Sequence, residues 1–163
     1  MTWRDVLFGL EQELLDPSAP VDFAWEQLTG EQDFEPKLVE LARLEKWEPS
    51  RWLVESLASR EQGQAPEETR RKWLYLVLAW FFEHRDEIAD PLGRVELVYA
   101  DFGYPTEIKS FVGYMPMDGP DLGSPEQNKA RLFERWNVYL EECRASFAHE
   151  AKGEGPDPLV ILP

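Results

Sequence analysis

Ten consecutive uncharged residues, Trp73-Leu74-Tyr75-Leu76-Val77-Leu78-Ala79-Trp80-Phe81-Phe82, constrain this chain more than any other feature. Wound as a helix they are apolar all the way round, and such a helix in a water-surrounded fold must be enclosed by neighbours. A membrane span takes about twice that length. The run is therefore expected to be the central helix of a soluble fold, over roughly residues 67–88, with Pro66 opening it.

The other apolar segments repeat at the helical period, and none alternates cleanly as a strand would. Trp3, Val6, Leu7, Leu10 and Leu14 line a first helix, with Thr2 as its cap and Asp5 in its first turn. Pro17 stops it at Asp16. Val21, Ala24, Trp25 and Leu28 form a second stripe, ended near Gly30. Leu38, Leu41, Ala42 and Leu44 face inward on a third helix that begins near Pro36. Trp52, Leu53 and Leu57 do so on a fourth, with Pro49 in its first turn. After the central helix, Asp90-Pro91 reads as a cap followed by proline at the first helical position. The stripe there is Leu92, Val95, Val98, Tyr99 and Phe102. Ile108 and Phe111 sit on a short turn or helix. Ser124 caps a last helix that buries Leu132, Phe133, Trp136, Tyr139, Leu140, Cys143 and Phe147. The expected fold is all-α: about seven helices in one domain over 1–151, stacked in a solenoid-like manner, and a flexible tail over 152–163.

The 163 residues carry 17 Lys and Arg against 32 Asp and Glu, a net charge of −15. Nucleic acid is excluded as a partner, because phosphates demand a basic footprint, and an anionic membrane surface is disfavoured for the same reason. One cysteine makes neither an internal disulfide nor a thiolate zinc cluster. No apolar stretch near Met1 has signal-peptide length. The location expected from these features is the cytoplasm.

Apparent catalytic signatures dissolve on inspection. His84-Arg85-Asp86 and Asp101-Phe102-Gly103 spell two short protein-kinase motifs, but Pro91 stands where the metal-holding Asn belongs, and no phosphate loop precedes them. Gly103 is better read as a helix terminator. Glu83, His84, Asp86, Glu87 and Asp90, followed by Glu96 and Asp101, make a carboxylate-rich helix end with one imidazole. His149 is the other histidine of the chain, whereas helical metal sites recruit His–Glu pairs twice. Cys143 falls on an apolar stripe, as a small core thiol does. No catalytic residue, metal ligand or cofactor is assigned.

Two features point instead to a protein partner. Residues 1–35 hold nine acids (Asp5, Glu11, Glu13, Asp16, Asp22, Glu26, Glu31, Asp33 and Glu35) against Arg4 alone, −8 of the total −15. A one-signed patch speeds capture of a basic partner. Rings also cluster along Tyr99–Tyr114, where Tyr99, Phe102 and Phe111 suit the core. Tyr104, Tyr114, Met115 and Met117 flank or occupy a loop and suit exposed contacts. The candidate binding residues are thus Glu11, Glu13, Asp16, Asp22, Glu26, Glu31, Asp33, Tyr104, Tyr114, Met115 and Met117.

The segment Asp90-Pro91-Leu92, Val95-Glu96, Tyr99-Ala100-Asp101-Phe102, Tyr104-Pro105 and Phe111-Val112-Gly113-Tyr114-Met115-Pro116 resembles a bacterial family known as a domain of unknown function, DUF2247. Lys72-Trp73-Leu74-Tyr75 is similar to its central helix, and Arg131-Leu132-Phe133-Glu134-Arg135-Trp136 with Tyr139-Leu140 to its closing one. The resemblance runs from the first helix to about Phe147. It implies a small bacterial cytoplasmic protein and supplies no catalytic residue. The function expected is a non-enzymatic acidic protein-binding module, in its most concrete form an immunity-type protein that neutralises a toxin. Two alternatives stand beside it. One is a metal-dependent hydrolase using the carboxylates around His84; the other is a homo-oligomeric scaffold, in its simplest form a homodimer.

Overall fold

Local signals place the helices. In the computed structural model, which describes residues 1–28, 35–45, 48, 50–61, 63, 65–116 and 119–151, the order is α1 (Trp3–Glu11), α2 (Ala19–Gln27), α3 (Pro36–Arg43), α4 (Arg51–Ala58), α5 (Pro66–Glu83), α6 (Pro91–Asp101), a 3-10 helix (Thr106–Phe111) and α7 (Pro125–Ala151). Among the described residues there is no strand, and the fold is all-α. The tail after Ala151 lies outside them, as do Gly30 and Pro49. None of the described helices is long and apolar enough to cross a membrane.

The caps are where the local chemistry puts them. Thr2 and Asp5 form a reciprocal capping box at α1, the Thr2 hydroxyl accepting from Asp5 N and the Asp5 carboxylate accepting from Thr2 N at 2.7 Å. Asp90 accepts from Gly93 N at 3.0 Å, with Pro91 at the first position of α6. Ser124 Oγ accepts from Gln127 N at 3.2 Å. Each satisfies a helical N–H that has no partner inside the helix.

Packing divides the chain into two compact units, Met1–Trp73 and Leu74–Pro163. In the first, α1 packs on α4, α2 on α3 and α3 on α4, around Val6, Ala24, Leu41, Leu53 and Val54. Trp3 meets Phe23 edge to face at 4.8 Å. Asp5 is fully buried here and takes an ion pair from Lys72, while Trp73 Nε1 donates to the Asp5 carbonyl at 2.8 Å. Glu61 adds a second polar tie, accepting from Trp3 N and Arg4 N at 2.7 and 2.9 Å. Ladders of this kind leave no charge buried without a partner.

The second unit is built around Trp136 of α7, which is wholly buried against Phe82, Phe111 and Phe133. The 3-10 helix lies on α7 through buried Phe111, which also meets Tyr139 at 5.6 Å. Tyr75 and Phe147 approach at 5.4 Å, tying the second half of α5 to α7. Leu74, Leu78, Val95, Val98 and Ile108 complete this core.

Three tryptophans depart from the expected inward stripes. Trp25 is 57% exposed, Trp52 52% and Trp80 54%. On α4 the buried face is Leu53, Val54, Leu57 and Ala58, and Trp52 stands one residue, about 100° of helix rotation, outside it. On α2 Trp25 stands one such step beyond buried Ala24. Trp80 packs on Phe81 and His84 of the same stretch of chain. Cys143 is half-buried, less enclosed than a core thiol.

Candidate functional site

α6 ends in a Schellman turn, and that turn builds the most distinctive surface of the second unit. Gly103 N donates to the Ala100 carbonyl and Tyr104 N to the Tyr99 carbonyl at 2.9 and 2.7 Å. Gly103 adopts the left-handed conformation this requires, at φ +67°. Tyr104 follows at φ +63°, a conformation that bulky side chains rarely adopt. The result turns the Tyr104 ring back onto Tyr99, edge to face with centroids 5.3 Å apart. Asp101-Phe102-Gly103 is thus the last residue, the buried C-cap and the terminating glycine of a helix.

The chain returns past the 3-10 helix and brings a second ring to the same place. Tyr114 sits 6.2 Å from Tyr99, tilted by 60°. Tyr99 itself is buried, whereas Tyr104 is 61% and Tyr114 56% exposed. One buried phenol therefore carries two exposed ones. Glu96, half-buried and one turn before Tyr99 on α6, lies against the loop: a Cβ at Gly113 would be 2.8 Å from its Oε1. Partial desolvation raises the Tyr114 pKa above the ordinary phenol value, and Tyr99, Tyr104 and Glu96 push it further in the same direction.

A pH consequence follows from that shift. The unfolded chain releases the Tyr114 proton first, so the contribution is complete below the ordinary phenol range and is lost as pH climbs through the raised folded value. Ultraviolet titration at tyrosinate wavelengths should show Tyr114 ionising above the ordinary phenol range, and Tyr114→Phe should remove that contribution from the native curve. A titration curve unchanged by the substitution refutes the assignment.

The candidate residues fall into separate places. Tyr104 and Tyr114 share the face just described, Met115 is half-buried at its edge with its N–H on the Val112 carbonyl, and Met117 lies outside the described residues. The acids belong to the first unit. Glu11 pairs with Arg51 at 2.9 Å, and Arg51 also holds Glu55 at 2.8 Å. Asp16 accepts from both Ser18 N and Ser18 Oγ, closing the turn into α2. Glu13, Asp22 and Glu26 are exposed, whereas Glu31 and Asp33 lie outside the described residues. Asp5, counted among the acids of this end, is a core group rather than a surface charge.

The groups around His84 have local engagements. The His84 ring stacks on Trp80 at 4.4 Å, with Nδ1 2.8 Å from the Trp80 carbonyl. Asp90 caps α6. Among the described residues no group of three or more His, Cys, Asp and Glu side chains is placed to hold a metal ion. Open clefts among the described residues lie elsewhere. One, of about 550 Å³, lies between α1 and the start of α5 over Leu7, Phe8 and Thr69. Another, of about 540 Å³, lies between the 3-10 helix and α7 beside Arg131, Arg135 and Tyr139.

The place of Glu96 is what the sequence reading missed, since it was grouped with the carboxylates near His84. Its signal was available: Glu96 and Tyr99 are three apart on one helix and so share a face. Proximity of Glu96 to Gly113, across an intervening helix and loop, had no local signal.

A family model described as an uncharacterized protein conserved in bacteria (DUF2247) matches residues 1–144. The match takes in α1 through most of α7 and the whole Tyr99–Tyr114 face. No curated protein and no solved structure matches the chain.

Proposed function

We propose that this chain, which belongs to the DUF2247 family of bacterial proteins, works as a non-enzymatic protein-binding module whose contact face is the exposed pair Tyr104 and Tyr114. The observation that carries this reading is the mounting of those rings. Two phenols, each more than half exposed, rest on a third that is buried, and one of them sits on backbone in the left-handed region. Unusual backbone is retained at sites where a side chain must be held in one place. Tyrosine brings large contact area at low entropic cost, and rings held in advance lose less on binding. Clustered aromatics are the usual centre of a protein interface.

In its finer form the partner is basic, and the module neutralises a toxin. Support comes from the net charge of −15 and from exposed Glu13, Asp22 and Glu26 in the first unit. Such charge accelerates encounter and is screened by salt. The test is capture from lysate of the native host with partners identified by mass spectrometry. Wild type should retain a basic protein, less of it as salt rises. The variant Tyr104→Gly with Tyr114→Ser should lose it while unfolding at an unchanged temperature. Glycine suits the φ of residue 104, so the ring is removed without adding backbone strain. Retention unchanged in the double variant overturns the tyrosine face. A partner without basic character, held equally at all salt concentrations, overturns the toxin-neutralising form.

A further inference from the structure

We infer that the tyrosine face receives the cationic side chain of an arginine or lysine presented by the bound protein, with Glu96 as its counter-charge. This rests on the protein-binding reading above and names the chemistry of the contact. Three observations lead to it. Tyr104 and Tyr114 are both exposed and are set at steep angles to Tyr99, so aromatic surface faces solvent in more than one orientation. The Glu96 carboxylate lies at the Gly113 backbone, next to Tyr114 in the chain. Among the described residues, Glu96 has no ion-pair partner.

A half-buried carboxylate with no ion-pair partner among the described residues and a group of π-faces select for the same ligand. The ring quadrupole attracts a cation over its face, and the attraction grows when both are desolvated. An apolar side chain docked here would take water from Glu96 and return no hydrogen bond. An anionic one would meet like charge. A guanidinium or ammonium satisfies rings and carboxylate together.

The test uses the full chain and three defined probes, followed by amide chemical shifts: N-acetyl-arginine methylamide, its lysine counterpart, and N-acetyl-citrulline methylamide. Citrulline keeps the shape of arginine without the charge. Saturable shifts centred on Tyr99, Tyr104 and Tyr114 are expected with one or both cationic probes and not with citrulline. Glu96→Gln should weaken that binding about fivefold, and Tyr104→Gly by a similar factor. Equal response to citrulline, no response to either cation, or an unchanged affinity in Glu96→Gln overturns the inference. Its failure is separable from failure of the parent reading. If the cations do not bind while the lysate partner is still lost from the tyrosine double variant, the cation site falls and the protein-binding face stands.

Discussion

Replacing Lys72 by methionine is expected to destabilise the chain by about 3 kcal/mol, because it removes the lysine ion-paired to a carboxylate in the core. Asp5 has 0% exposure and Lys72 is the cation paired with it. Methionine keeps the length and apolar stem of the lysine, so little packing is lost. Asp5 keeps its capping role in the variant, including the bond from Thr2 N. That bond is why the cost belongs at the lower end of the range for broken buried pairs, together with the partial exposure of Lys72. The double variant Asp5→Asn with Lys72→Met should recover at least about 1 kcal/mol, since a neutral amide is far cheaper to bury than a lone charge. Urea unfolding of the four members of this cycle measures the coupling. A single-variant cost under about 1 kcal/mol, with no recovery in the pair, would show that Asp5 is solvated or held by something other than Lys72.

The second large effect is expected at Trp136. Truncation to alanine should cost about 4 kcal/mol, the range for removing a fully enclosed large aromatic. Its indole is wholly buried and flanked by Phe82, Phe111 and Phe133. Phenylalanine at the same position should cost only about 1–2 kcal/mol, for a specific reason. Trp136 Nε1 is buried and makes no hydrogen bond among the described residues. Exchange for phenylalanine therefore breaks no hydrogen bond and removes a desolvated donor that is not repaid. Trp80→Ala is the control: with about half its surface in water, that indole should cost only about 1–2 kcal/mol to remove. Denaturant midpoints for the three variants decide the matter. A Trp80→Ala cost comparable to that of Trp136→Ala would mean that the outer indole is covered in solution.

These expectations show where sequence reading reaches. The Thr2 cap with Asp5 in the first turn, the Asp90-Pro91 start of α6, the Ser124 start of α7 and the Gly103 stop are all present as read. Each depends on residues within one or two turns. The aromatic division at the end of α6 was equally legible. Tyr99, Phe102 and Phe111 are buried, while Tyr104 and Tyr114 are exposed, because helical spacing separates core positions from residues that follow a terminator.

Trp25, Trp52 and Trp80 were not legible in the same way. Their burial depends on whether another helix crosses over that part of the surface, and hydrophobicity alone does not specify the crossing.

What the amino-acid order determined by itself was the set of helices, most of their starts and most of their inward faces, since capping and the 3.6-residue period act over a few residues. Two ends differ from the expectation, α1 stopping at Glu11 rather than at Asp16 and α5 at Glu83 rather than near residue 88. Only the tertiary structure decided that Asp5 would become a buried partner of Lys72, that three tryptophans would remain in water, and that Glu96 would come to lie at Gly113 beside the tyrosines. Those outcomes join or separate groups far apart in the chain. They are set by which surfaces exclude water together, a property of the packed whole that no short window of sequence contains.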